Sequence, residues 1–303
     1  MELQQLRYAL AVGKTGNFSR AAEECHVSQP SLSQQVQKLE QELGIRLFTR
    51  LKRQTVPTAA GTAFLVHAAR VLTDLEVATA EAKEAGDHAS GAIRGVVNLG
   101  VLPTIAPYLL PRALALCRQR HPQLDIIVQE TNTTHLLAMA AACEIDLAVL
   151  SLPIRDARFE CEELFTEELW LAVPPEHLLA KKRKPVSLDD VGAERFILLQ
   201  EGHCLGDQAL RFCNSRECHP NIIFRTAQLE TIQALVASGL GVSLIPQMAI
   251  GTAHENHPVY LRLTAPRPQR VIALLWRKEH HLTRAAAALA GVLRTIRFDQ
   301  ASR

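Results

Sequence analysis

The stretch "FSRAAEECHVSQPSLSQQVQKLEQELGIRLFTR", residues 18–50, decides the architecture of the first part of the chain. Leu32, Val36, Leu39 and Leu43 recur three or four residues apart, the spacing of one helical face. Ser28 is placed to cap that helix, Pro30 is tolerated in its first turn, and Gly44 ends it. Ahead of it, Asn17 reads as a cap or turn residue before a short helix over 18–25, and His26-Val27 make a break. Further back, Leu3, Leu6, Leu10 and Val12 give an earlier helical stripe. Helix, tight turn and helix is the layout of a helix-turn-helix. The third helix presents Gln29, Ser31, Ser33, Gln34, Gln37 and Lys38 on its outer face. Amides and hydroxyls suit that face because they both donate to and accept from base edges and phosphates.

Beyond this helix, residues 45–50 and 52–56 read as the two strands of a basic wing. From Gly44 to Val56 the chain carries Arg46, Arg50, Lys52 and Arg53 and no acidic residue. Residues 1–60 hold eight Lys and Arg against five Asp and Glu, although the whole chain has a net charge of only +2. The local surplus is a modest polyanion footprint. A small helical subdomain with a polar surface is the plainer reading, but cap, turn and wing fall in the order a DNA-binding domain requires. The expected DNA contacts are Ser28, Gln29, Pro30, Ser31, Ser33, Gln34, Arg50 and Arg53.

Residues 58–85 are alanine-rich, with Phe64, Ala68, Val71 and Leu72, and Leu75 repeating at helical spacing. Such a stripe must be buried. Pairing with the same helix of a second subunit through Phe64, Ala68, Leu72 and Leu75 is the simplest solution. Packing on its own domain is the alternative. A dimer would set two recognition helices on two half-sites of double-stranded DNA. The segment 86–95 is polar and rich in small residues, as a hinge would be. After it, strands alternate with helices, which implies a mostly parallel sheet covered on both faces. The expected organisation is a winged helix-turn-helix over 1–58, a dimerising linker helix over 59–85, a hinge over 86–95 and an α/β regulatory domain over 96–303. The strands and helices fall into two sets, about 96–165 plus 268–303 and about 166–267.

The 303 residues are 48% hydrophobic and 21% charged, as an ordinary globular protein is. No run approaches the ~18 apolar residues a membrane span needs. Glu2 and Arg7 interrupt any secretory leader, so a cytoplasmic protein without membrane contact is expected. No cofactor and no metal are expected. Seven cysteines in the cytosol do not imply permanent cross-links. Cys25, Cys117, Cys143 and Cys161 read as small core residues.

The residues 18–50 quoted above, with Pro57-Thr-Ala-Ala-Gly61, resemble the N-terminal domain of LysR-type transcriptional regulators. Ala21-Ala22, the Ser28-Gln29-Pro30 run, Leu39-Glu40, Leu43-Gly44 and Leu47-Phe48 carry the match. The resemblance implies a winged helix-turn-helix, a dimerising linker and a C-terminal sensing domain of the periplasmic-binding-protein type, in a regulator rather than an enzyme. That domain would have two lobes, lobe I over about 96–165 plus 268–303 and lobe II over about 166–267, with a ligand-sized cleft between them.

The sensing half holds "EGHCLGDQALRFC", residues 201–213, with Cys204 and Cys213 eight residues apart. These thiols could be inert core residues, zinc ligands together with His203, Cys218 and His219, or partners in an occasional disulfide. Residues 205–213 read as wholly or partly helical. On an intact helix, nine steps of about 1.5 Å put the two cysteines roughly 13 Å apart. A disulfide needs Cα atoms about 4.4–6.8 Å apart. Any bond between them would have to refold the segment, which makes it a switch rather than a staple. Cys204 precedes the expected helix, whose dipole favours a thiolate, and His203 can hydrogen-bond an incoming oxidant.

This loop, with Leu102-Pro-Thr-Ile-Ala-Pro-Tyr-Leu-Leu-Pro111, resembles the peroxide-sensing members of the LysR-type family over essentially the whole chain. The resemblance implies that Cys204 is the peroxidatic thiol and Cys213 the resolving one. It also implies that Thr104, Thr133, His203, Arg270 and, more weakly, Asp207 hold hydrogen peroxide. Promoter DNA, RNA polymerase, a reductant such as glutaredoxin or thioredoxin, and a homotetramer are implied on the same ground. Gly206 departs from the family, whose loops often carry a basic residue there, and Cys218 is an additional thiol that could compete with Cys213. The alternative is a regulator of the same family that senses a small metabolite or anion in the cleft without thiol chemistry.

Overall fold

The computed structural model describes residues 1–51, 54–86, 93–181, 185–191, 194–199, 205–206, 210, 212, 221–251, 257–279 and 282–298. The chain divides into two compact units, Met1–Gly91 with Ala141–Glu144, and Ala92–Ala140 with Ile145–Arg303.

In the first unit, local capping chemistry sets three helices. Helix α1 (Leu3–Thr15) ends at Gly16 in the left-handed region, φ 62°. Helix α2 (Phe18–Glu24) begins where the Asn17 side chain accepts from the N–H groups of Ser19 and Arg20. Helix α3 (Gln29–Leu43) begins at Ser28, whose Oγ accepts from Ser31 N–H, and ends at Gly44 with φ 69°. His26 lies at φ 54° in the turn between α2 and α3, the break expected there. Leu6, Ala9 and Val12 meet Ala21, Ala22, Leu32, Val36 and Leu39 in one core, whereas Leu3 is exposed. Each buried leucine or valine there contributes about 1.5–3 kcal/mol.

The wing is shorter than expected. Strands β1 (Phe48–Arg50) and β2 (Thr55–Pro57) pair antiparallel. Phe18 and Phe48 meet edge to face at 6.2 Å, which seats the wing on α2. Helix α4 (Ala59–Gly86) follows. Thr58 Oγ1 accepts from Gly61 N–H at 2.9 Å and donates to the Arg46 carbonyl at 2.8 Å, so the start of α4 is tied to the root of the wing.

The second unit contains strands β3 (Arg94–Val101), β4 (Gln123–Glu130), β5 (Leu147–Ser151), β6 (Phe159–Val173), β7 (Arg195–Leu199), β8 (Asn221–Thr226), β9 (Ser243–Pro246), β10 (Val259–Leu261) and β11 (Gln269–Arg277). Its helices are α5 (Ala106–Arg120), α6 (Thr133–Ala141), α7 (Leu229–Ala237) and α8 (Arg284–Thr295). Seven strands form one sheet in the order β10-β6-β11-β5-β3-β4, with β9 also on β6, and β7 pairs β8 separately. A bridge from Phe196 to Val242 links that pair to the start of β9.

Two expectations are corrected here. The large sheet is mixed rather than mostly parallel: β3 runs parallel to β4 and β5, but β11 is antiparallel to both β5 and β6, and β9 and β10 are antiparallel to β6. The 15-residue strand β6, unforeseen from sequence, carries the chain from one lobe into the other. The expected hinge over 86–95 is also narrower, because Gly86 ends α4 while Arg94 and Gly95 belong to β3; residues 87–92 lie outside the described ones.

Candidate functional site

On the first unit, the outer face of α3 is open. Ser28, Pro30, Ser31 and Gln34 are exposed, Gln29 and Ser33 half-buried, and the apolar face is turned inward. Glu40, on the same helix, accepts the backbone N–H groups of Leu47 at 2.7 Å and Phe48 at 3.1 Å through one oxygen. It fixes the wing relative to the reading helix. The side chain of Arg50 and the whole of Arg53 lie outside the described residues.

Part of the α4 stripe expected to pair with a second subunit is taken up within the chain. Ala68 and Leu72 are buried in the unit's own core, and Phe64 packs against it. The physical reason is α1, which offers a facing apolar surface within the same chain; Gly13 lies against Leu65. Val71 at 47% and Leu75 at 38% exposure remain as the outward apolar positions.

In the second unit, two threonines sit beyond the C-terminal ends of neighbouring parallel strands, where open α/β sheets hold their ligands. Thr104 lies between β3 and α5, and Thr133 opens α6 after β4. Thr104 is buried and Thr133 half-buried. Arg270, near the start of β11, is buried to 1% exposure. Its guanidinium donates to Thr104 Oγ1 at 2.9 Å and to the Thr104 carbonyl at 3.1 Å, so the structure brings these two expected residues together.

The residue that completes this arrangement escaped the sequence reading. Glu167, the cross-strand partner of Arg270 on β6, accepts from Arg270 Nε at 2.6 Å. Its second oxygen accepts from Met248 N–H at 3.0 Å. The Met248 sulfur in turn takes a weak contact from Arg270 Nη2 at 3.7 Å. A guanidinium with no solvent requires such a counter-charge. The signal that could have found it is the antiparallel pairing of β6 with β11, which the sequence did not reveal. Nearby, Tyr108 of α5 packs against the second lobe's core and donates to Glu230 of α7 at 3.4 Å. Burial, then the Glu230 carboxylate, pushes the Tyr108 phenol well above its ordinary range. Tyr260 donates to Gln233 at 2.7 Å, and burial pushes its phenol up to about 12.

His203, Cys204, Asp207 and Cys213, with Cys218, His219 and part of the segment expected to refold, lie outside the described residues. Of that segment, Leu205, Gly206, Leu210 and Phe212 have helical backbone. Leu205 is buried in the second lobe's core, and Leu210 and Phe212 pack against it. Among the other thiols, Cys117 is buried, Cys25 and Cys143 are half-buried, and Cys161 is exposed. Cys161 is therefore not the small core residue expected, because its position on β6 faces outward.

Both halves match known families. A profile described as "Bacterial regulatory helix-turn-helix protein, lysR family" matches residues 3–62, and "LysR substrate binding domain" matches residues 90–296. The chain belongs to the LysR family of DNA-binding transcriptional regulators. The hydrogen peroxide-inducible genes activator of Pectobacterium carotovorum subsp. carotovorum is 35% identical over 97% of this chain and 96% of its own. The DNA-binding transcriptional dual regulator OxyR of Escherichia coli K12 is 35% identical over 97% and 95%. Full-length OxyR from Pseudomonas aeruginosa, carrying a cysteine-to-aspartate substitution, superposes with TM-score 0.78 at 32% identity over 97% of this chain and 98% of that one. A Corynebacterium glutamicum OxyR cysteine-to-serine mutant with hydrogen peroxide bound gives TM-score 0.63 at 29% identity over 97% and 91%. The resemblance to peroxide sensors read from the sequence is thus borne out.

Proposed function

We propose that this LysR-family regulator senses hydrogen peroxide and transmits the signal to promoter DNA through a reversible Cys204–Cys213 disulfide. The observation that carries the reading is the buried Arg270–Thr104 contact, a cation and a hydroxyl held together at the sheet's ligand end. The names of the relatives support the same reading.

In this account Thr104, Thr133, His203, Asp207 and Arg270 hold the peroxide, the hydroxyls and imidazole orienting its oxygens while the cation stabilises developing negative charge. The Cys204 thiolate gives its electron pair to one oxygen. The O–O bond breaks, and the other oxygen leaves as hydroxide and is protonated to water. The resulting sulfenic acid is attacked by the Cys213 thiol, forming the disulfide and releasing a second water. A cellular dithiol such as glutaredoxin or thioredoxin reverses the bond by exchange.

Ser28, Gln29, Pro30, Ser31, Ser33, Gln34, Arg50 and Arg53 meet the DNA. Residues 1–58, 59–85 and 96–303 act as DNA-binding domain, linker and regulatory domain, with the hinge between Gly86 and Arg94. The linker pairs two subunits through its outward positions, Leu75 with Val71, and a tetramer built from two such dimers engages RNA polymerase in the cytoplasm.

Replacement of Cys204 by serine tests the proposal. Peroxide-dependent change in DNA binding disappears while basal DNA binding persists. Peptide mapping of peroxide-treated wild type yields a Cys204–Cys213 bond. A response that survives the serine substitution would return the chain to regulators that sense a metabolite or anion in the cleft. A Cys204–Cys218 bond would move the resolving role to Cys218.

A further inference from the structure

We infer that Glu167 is a positioning residue for the thiol reaction proposed above, acting through Arg270 on the hydroxyl of Thr104. The inference rests on that reading. It comes from a continuous chain of contacts among buried groups. Glu167 and Arg270 face each other in register on β6 and β11, and their side chains are 4% and 0% exposed. The carboxylate takes Arg270 Nε at 2.6 Å, which fixes the guanidinium plane. That plane then directs Nη1 to Thr104 Oγ1 and Nη2 to the Thr104 carbonyl, gripping one residue twice.

The consequence for Thr104 is polarity. A threonine oxygen can accept from one group while its proton is donated to another. Here the oxygen is taken by a cation, and among the described residues no acceptor takes the proton. Thr104 is thereby set as a donor, polarised by the guanidinium behind it. A donor so arranged suits the peroxide oxygen that departs with the electron pair. Glu167 touches neither thiol nor peroxide in this scheme.

Two features make Glu167 specific for this task. Its oxygens are split, one on Arg270 and the other on Met248 N–H, so both must be acceptors. Glutamine supplies one acceptor and turns an N–H against a donor. The second contact ties the carboxylate to the turn after β9, so it sets Arg270 against a fixed reference.

The test compares two reactions of Cys204 in the full-length reduced protein: oxidation by hydrogen peroxide, and alkylation by uncharged iodoacetamide. Alkylation reads the thiolate alone, whereas oxidation also requires the oriented donor. In Glu167→Gln the oxidation rate constant is expected to fall about tenfold or more, while alkylation stays within about twofold of wild type. Thr104→Val, which removes the end of the relay, slows oxidation alone in the same way, and adding Glu167→Gln to it slows oxidation no further. Glu167→Asp keeps the charge but shortens its reach, and it decides the matter if the glutamine variant does not fold. A folded variant that oxidises like wild type overturns the inference, as does a parallel loss of both reactions. A wild-type Cys204 inert to peroxide overturns the reading and this inference together; a reactive wild type with unaffected variants overturns this inference alone.

Discussion

One carboxylate oxygen of Glu40 accepts both the Leu47 and the Phe48 backbone N–H groups, at 2.7 and 3.1 Å, and so couples α3 to the first wing strand. Because a single oxygen serves both donors, the carbonyl of glutamine can replace it. Glu40→Gln is expected to cost under about 1 kcal/mol, and Glu40→Ala, which strands two partly buried donors, about 1–3 kcal/mol. Urea titration gives the stabilities. Operator affinity, followed by fluorescence anisotropy, falls for the alanine variant because the wing loses its fixed place beside the reading helix. An alanine variant as stable and as tight-binding as wild type would remove Glu40 from this role.

Two glycines separate close packing from chain flexibility. A Cβ on Gly61 would stand 1.9 Å from the Leu47 carbonyl oxygen, whereas one on Gly291 meets nothing within 4 Å. Gly61→Ala must push α4 off the root of the wing, at an expected cost of about 2 kcal/mol or more. Gly291→Ala, inside α8, gains about 0.5–1 kcal/mol from helix propensity and a less flexible unfolded chain. Thermal melts of the two variants should therefore move in opposite directions. Shifts of the same sign would contradict the geometry at one of the two sites.

The turn between α2 and α3 holds a third test. His26 sits at φ 54°, a conformation that side chains branched at Cβ adopt poorly. His26→Gly is expected to be near neutral, because relief of strain offsets the added freedom of the unfolded chain, while His26→Val costs about 1–2 kcal/mol. Denaturant midpoints of the pair check this. Equal midpoints for the valine and glycine variants would show that the turn carries no such constraint.

What the sequence disclosed follows from how local each cause is. Asn17, Ser28 and Gly44 act on neighbours within four residues, so the helix-turn-helix was legible with its caps in place. Strand β6 was not, because "FECEELFTEELWLAV" scatters Glu160, Glu162, Glu163, Glu167 and Glu168 through what becomes a central strand. Its conformation is dictated by β11, far along the chain. The same distance hid the Glu167–Arg270 pair, whose members are 103 residues apart. Thr104 and Arg270 were named through family likeness, and only their geometry showed that they touch. The stripe of α4 was legible as apolar, but its partner was not: α1 takes Ala68 and Leu72 before any second subunit can.

The half-buried phenols of Tyr108 and Tyr260 predict an alkaline limit to stability. Unfolded tyrosines ionise near pH 10, about two units below the value of about 12 to which burial pushes Tyr260. The folded state therefore holds that proton after the unfolded chain has begun to lose it. The stabilising contribution is complete below about pH 10 and disappears as the pH climbs towards 12. Tyr108, raised by burial and by the Glu230 carboxylate beside it, pushes in the same direction. Urea midpoints measured from about pH 8.5 to 11.5 should fall with pH in the wild type, and less steeply in Tyr260→Phe, which has no phenol to ionise. The phenylalanine variant also loses the 2.7 Å bond to Gln233, so its absolute stability is lower at neutral pH. The slope, not the level, is the measure of the buried phenol: a Tyr260→Phe protein with the wild-type slope would mean that Tyr260 ionises alike in the folded and unfolded chain.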